Sequence, residues 1–185
     1  MRPPSRMIKY NEKIGNVFDY EDDYAIAHCI SADFGLSTGL AGVMESRYGI
    51  RAYLKRVYGD KLPFNGYGYC LPSNNGNVFN LVVQAQEYGP FTYEAAEDAL
   101  RAMFIIAFNA GKRKIVMPRI GAGLAGLDWH KMRELIFDVY EEIEIALAIE
   151  LDIEVLVVYP EEKNELHIVE PSVPRRDREL SKKYF

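Results

Sequence analysis

The chain is poor in cysteine, with only Cys29 and Cys70 in 185 residues. Two thiols so far apart make neither a disulfide framework nor a zinc site, so a reducing, cytoplasmic setting is expected. Long apolar runs are missing as well. No stretch reaches the about 20 residues of a membrane span, and neither end carries a signal-peptide core, so a soluble intracellular protein with no membrane partner is expected. Excess positive charge is absent: a net charge of −5 argues against a protein built to coat nucleic acid, though a local basic site remains open. No cluster of His, Cys and carboxylates has ligand spacing, so neither a metal nor a cofactor is expected. Repeats and low-complexity segments are lacking too. What remains is a chain long enough for one domain with a substantial core. Residues 1–160 are read as that domain and 161–185 as a charged tail holding Pro171, Pro174, Arg175, Arg176, Arg178, Lys182 and Lys183.

Apolar periodicity supplies the elements. Met7 to Tyr10 begins an edge-like strand, with residues 13–18 turning away from it. Tyr24 to Ile30 is short, mostly apolar and bounded by acidic and glycine-rich segments, as a buried strand is. Residues 40–58 carry helical signals with a break near Gly49. Tyr67 to Leu71 and Val78 to Gln84 read as strands joined by a turn over 73–77. Thr92 is an N-cap for a helix ending at Gly111, with Ala96, Leu100, Met103, Phe104 and Ala107 at helical spacing. A strand from Ile115 follows, then a helix capped by Asp128, with Leu127 and Met132 placed for a hydrophobic staple. The last strand is Ile153 to Tyr159. Strands alternating with helices predict an α/β protein, a three-layer α/β/α sandwich on a mixed sheet with a parallel centre.

The most informative segment is Met117-Pro118-Arg119-Ile120-Gly121-Ala122-Gly123-Leu124-Ala125-Gly126-Leu127-Asp128-Trp129. A glycine loop at the carboxyl end of a strand exposes backbone N–H groups that cradle phosphate oxygens. Gly121, Gly123 and Gly126 also match the dinucleotide pattern G-x-G-x-x-G, but the helix start waits until Asp128. No acidic residue follows a strand at the about 20-residue spacing that pattern requires. A dinucleotide-binding oxidoreductase is therefore the runner-up. A second loop of the same kind follows Ala27-His28-Cys29-Ile30-Ser31, running through Ser37-Thr38-Gly39 into Leu40-Ala41. Two such loops on neighbouring strands would hold a diphosphate between two sets of N–H groups.

The pair of loops, with Thr92-Tyr93-Glu94 opening a helix and Asp128-Trp129 closing the glycine run, resembles the macro domain, the ADP-ribose-binding module. The resemblance spans residues 7–160. It is nearest to the branch containing terminal ADP-ribose protein glycohydrolase and the yeast-type ADP-ribose 1″-phosphate phosphatase. It implies ADP-ribose or ADP-ribose 1″-phosphate as ligand, with ADP-ribosylated macromolecules as further partners. The implied ligand-binding residues are Gly15 and Asn16 for adenine, and Ser31, Gly39, Leu40, Ala41, Arg119, Ile120, Gly121, Ala122, Gly123 and Leu124 around the phosphates. The family's Gly-Asp pair at the adenine is Gly15-Asn16 here, which replaces a charged acceptor by an amide.

The resemblance divides over chemistry. The glycohydrolase pattern uses a lysine and an aspartate, and those positions fall on Gln84 and Ala125, which supply neither an amine nucleophile nor a base. The phosphatase pattern uses a histidine at the end of the second strand, where His28 stands, and Asp33 in the same loop is the first candidate to assist it. Hydrolysis of ADP-ribose 1″-phosphate by His28 and Asp33 is thus the leading expectation, and a non-catalytic ADP-ribose reader the alternative. The plainer readings stay open: His28 as a hydrogen-bonded core residue, Asp33 as an Asx turn, Arg119 as a brace for the loop. Phe34 and Tyr88 are candidates for stacking on the ligand, although in a chain with 12% aromatic residues packing is the competing role.

Overall fold

A computed structural model describes residues 8–60, 67–123 and 125–161. The expectations for Met7, Leu124 and all of the tail except Glu161 lie outside the described residues. Six strands form one sheet: β1 (Lys9–Ile14), β2 (Ala25–Ser31), β3 (Tyr69–Ser73), β4 (Val78–Gln84), β5 (Lys114–Met117) and β6 (Glu154–Tyr159). Their order is β1-β6-β5-β2-β4-β3, and only the β3–β4 pair is antiparallel. The predicted mixed sheet with a parallel centre is what forms. β1 does lie on an edge, but it runs on to Ile14 beside Tyr159 instead of turning away at Lys13.

Helices cover both faces. On one side lie α1 (Gly39–Tyr48) and α2 (Ile50–Tyr58), separated by Gly49 at φ 61°, a left-handed conformation that glycine adopts without a Cβ penalty. On the other side lie α3 (Tyr93–Asn109) and α4 (Trp129–Leu147). Thr92 caps α3 by accepting from Ala95 N, and Asp128 caps α4 by accepting from His130 N, as the sequence predicts.

Strand alternation splits the core in two. Ala25, Ala27, Phe79 and Leu81 pack with Leu100, Met103, Phe104, Met132 and Ile136. Ile26, Ile30, Val78 and Val82 pack with Met44, Ile50 and Leu54. Each large side chain so buried contributes about 1.5–3 kcal/mol. The two layers clamp the sheet from both sides and hold the carboxyl ends of β2, β4, β5 and β6 along one edge, where open α/β sheets bind ligands. Among the described residues, no helix is long and apolar enough to cross a membrane.

Candidate functional site

A cleft of 480 Å³ opens at that edge, within the about 300–1,000 Å³ usual for small-molecule sites. Its floor is the end of β2, from His28 to Ser31. Its walls are the loop into α1 with Leu36, Thr38 and Gly39–Ala41, the segment after β4 with Gln84 and Glu87–Gly89, and the loop after β5 with Pro118–Gly121, Gly123 and Ala125. The pairing of β2 with β4 shifts register here, from Ile30↔Val82 to Ser31↔Gln84. Such a bulge re-aims side chains at a sheet edge, and both Ser31 and Gln84 line the cleft.

The loop from Ser31 to Thr38 is bent by residues other than glycine. Phe34 and Leu36 have φ of 54° and 38°, and both are 3% exposed. Conformations of that kind persist only where the surroundings hold them. Arg51 of α2 does so from one side, its Nε donating to Phe34 O at 2.9 Å and its Nη2 to Gly35 O. Glu87 holds the other side, accepting from Ser37 N at 3.1 Å and from Ser37 Oγ. The approach is so close that a Cβ on Gly35 would lie 2.3 Å from Glu87 Oε2 and 2.9 Å from Glu87 Cβ, so only glycine fits there. This loop delivers α1 with its amino end open: Thr38 makes no side-chain capping bond. The first-turn N–H groups of Gly39, Leu40 and Ala41 therefore have no partner within the helix, and these residues line the cleft.

The loop after β5 is built from backbone turns. Gly121 and Gly126 have φ of 76° and 67°. Gly126 N donates to Gly123 O at 3.0 Å and Leu127 N to Gly121 O at 2.9 Å. Leu127 and Met132, the residues expected to form a staple, both pack over Gly121, 3.0 and 3.1 Å from where its Cβ would be. Arg119 braces this loop: its guanidinium lies 3.8 Å from the centre of the Tyr159 ring, and its Nε is 3.8 Å from Glu12 Oε1. Glu12 also accepts from Trp129 Nε1 at 2.6 Å and Arg133 Nη1 at 2.8 Å, tying β1 to the start of α4. Burial pushes the Glu12 carboxyl up, but the bonds from Trp129 and Arg133 outweigh it and hold it below the usual carboxylate range.

The two expected catalytic side chains are first occupied within the protein. His28 is 1% exposed, and its Nε2 lies 2.5 Å from Asn80 Oδ1. Asn80 Nδ2 donates to Leu71 O and Ser73 Oγ, which turns Oδ1 towards His28 and leaves the imidazole proton on Nε2. Burial lowers the His28 pKa to about 4, so the ring is neutral at pH 7. Asp33 accepts from Ser31 Oγ at 2.5 Å, Gly35 N at 3.1 Å and Glu87 N at 3.2 Å. Burial opposes its ionisation, yet these bonds hold its carboxyl below the usual range. The hydrogen bonds link His28 to Asn80 and Asp33 to the loops, and do not join the pair to each other. Asp33 and Ala122 are not among the lining residues of the cleft.

Gly15 and Asn16 lie beside a second, apolar slot of 280 Å³, with Val17, Phe18, Val43 and Val158; Leu40 and Pro118 line both spaces. Asn16 Oδ1 accepts from Phe18 N at 3.0 Å, and Asp19 answers on Asn16 N, a capping box for the short 3-10 turn Val17–Tyr20. Phe34, a stacking candidate, packs into the core instead. Tyr88 lines the cleft with φ 66°, its hydroxyl 3.3 Å from Thr38 Oγ1. Gln84 and Ala125 both line the cleft, and Gln84 Nε2 donates to Gly89 O at 2.6 Å. Sequence reading missed Arg51 and Glu87, which act across long separations and carry no local signal. Among the described residues, no group of three or more His, Cys, Asp or Glu side chains is placed to hold a metal.

No protein-family model matches the chain. ADP-ribose glycohydrolase OARD1 of Homo sapiens is 26% identical over 136 residues, 73% of this chain and 86% of that protein. The macrodomain of Mycobacterium tuberculosis DarG superposes with a TM-score of 0.66 at 13% identity, covering 83% of this chain and 99% of that one. The Trypanosoma brucei macrodomain in complex with ADP-ribose superposes with a TM-score of 0.61 at 15% identity, covering 83% of this chain and 65% of that one. With its mixed six-stranded sheet, helices on both faces and loops gathered at one edge, this chain has the macrodomain fold.

Proposed function

We propose that the protein binds ADP-ribose, free or attached to a macromolecule, with the diphosphate between the α1 loop and the glycine loop. The observation that carries this reading is the open amino end of α1, with Gly39, Leu40 and Ala41 facing the second loop across the cleft. N–H groups at a helix start favour an anion both by hydrogen bonding and by the helix dipole. The apolar slot beside Gly15 and Asn16 suits the base, and it meets the main cleft at Leu40 and Pro118. The ligand named for the Trypanosoma macrodomain, and the ADP-ribose group in the name of OARD1, support binding of this ligand.

Binding without turnover is the form of the function favoured here. The lysine–aspartate route implied by the glycohydrolase pattern meets an amide at Gln84 and a methyl group at Ala125. Release of phosphate from ADP-ribose 1″-phosphate would need His28 and Asp33, and both are bonded to groups of the protein. A cytoplasmic setting belongs to the same proposal, resting on the two free cysteines.

The test is calorimetric titration with ADP-ribose and with intact NAD, beside a phosphate-release assay on ADP-ribose 1″-phosphate. Saturable binding that prefers ADP-ribose, with no phosphate released, supports the reader. A preference for NAD sinks the reading, and turnover abolished by His28→Ala would replace the reader with a phosphatase.

A further inference from the structure

The sheet order gives the cleft a direction. The slot for the base stands over β1 and β6, with Gly15 and Val158, and the cleft then crosses β5 and β2 to reach β4. A ligand with its base in that slot carries its terminal ribose to the β4 end, among Gln84, Glu87, Tyr88 and Gly89. This step rests on the reading of the preceding subsection.

Glu87 is the only carboxylate among the described residues that line the cleft. It cannot swing away as a surface glutamate does. Ser37 N and Ser37 Oγ hold one carboxylate oxygen, its own N–H donates to Asp33 Oδ2 at 3.2 Å, and its side chain lies flat against Gly35. Arg51, which grips the same loop from α2, donates to the carbonyls of Phe34 and Gly35 and is not among the described residues that line the cleft. Arg119 is the only arginine or lysine among those lining residues, and its guanidinium lies over the Tyr159 ring and 3.8 Å from Glu12, towards β6. The backbone N–H groups of the two loops serve one diphosphate, which leaves a further anionic group at the β4 end facing a fixed negative charge.

We infer that Glu87 determines specificity, restricting the cleft to ADP-ribosyl ligands whose terminal ribose bears no additional anionic group. An unmodified terminal ribose offers hydroxyl donors to a carboxylate, whereas a phosphate there offers charge of the same sign. At a solvent-open wall, repulsion of this kind amounts to about a tenfold change in dissociation constant.

The experiment is calorimetry of ADP-ribose and ADP-ribose 1″-phosphate on the wild-type protein and on Glu87→Gln, which keeps an acceptor oxygen for Ser37 while removing the charge. The wild type is expected to bind ADP-ribose about tenfold more tightly, and Glu87→Gln to narrow that gap to about threefold or less. Raising the salt concentration should narrow the wild-type gap as well, a readout that needs no variant. Equal affinities in the wild type, or a gap unchanged in Glu87→Gln, would overturn the inference while leaving the ADP-ribose reading intact. If neither ligand binds, that reading fails and the inference falls with it.

Discussion

The two loops that wall the cleft do the same job by opposite means. The loop after β5 takes its shape from glycines in left-handed conformations and from backbone turns closed within the loop. The loop after β2 puts Phe34 and Leu36 in that region of φ and relies on side chains from elsewhere, Arg51 and Glu87, to keep them there. One is shaped by its own composition, the other by its surroundings. The second kind is open to disruption from a distance, and that difference can be tested.

The largest effect should come from acid, acting on the strand beneath the side-chain-held loop. The folded pKa of His28 is lowered to about 4, while the unfolded chain titrates near 6.5. As pH falls from about 6.5 to about 4, the unfolded state takes up a proton that the folded state refuses, so stability is lost by up to about 3 kcal/mol across this window. β5, which carries the glycine loop, buries only Ile115, Val116 and Met117 and has no such group. Urea midpoints of wild type and His28→Gln, measured from pH 7 to pH 4.5, should converge as the pH drops. A constant difference between the two curves would remove His28 as the acid-sensitive point.

Next in size is Arg51→Met, which leaves the carbonyls of Phe34 and Gly35 without their donors. Half-buried acceptors abandoned in this way cost about 2 kcal/mol together. Release of the loop should weaken ADP-ribose binding about tenfold, because the α1 amino end is no longer presented in place. Arg51→Lys should fail to restore either property, since one ammonium group does not reproduce a fork that reaches two carbonyls. Full rescue by lysine would mean that charge alone, not the fork, holds the loop.

The same contrast explains what was legible in the sequence. Helix caps at Thr92 and Asp128, the break at Gly49 and the strand periodicity are local signals, and they led to the fold. The glycine loop is equally local, and its Gly121 and Gly123 line the cleft. The other loop could be located but not understood. Its grips come from Arg51, 16 residues on from Gly35, and Glu87, 50 residues on from Ser37. Asn80, which fixes the tautomer of His28, lies 52 residues away. A histidine and an aspartate at those positions suggest catalysis from sequence, whereas the groups they bond to in the fold, Asn80 for one and Glu87 for the other, carry no local signal. Nor does any residue type foretell that Phe34 turns into the core and Tyr88 lines the cleft.

The smallest effects should come from the glycine loop, and they separate its two constraints. Gly126 has φ 67° with nothing within 4 Å of the position of a Cβ, so Gly126→Ala meets conformational strain alone, about 1 kcal/mol. Gly121 has φ 76° and in addition the ends of Leu127 and Met132 at 3.0 and 3.1 Å. Those ends belong to flexible side chains that can yield, so Gly121→Ala should cost only a few tenths more, about 1–2 kcal/mol in all. Denaturant midpoints of the two variants read the difference directly. If Gly126→Ala were the more costly, crowding over Gly121 would not be what fixes this loop. If both were silent, the loop would be free to take another backbone path, and the contrast between composition and surroundings would fail on this side.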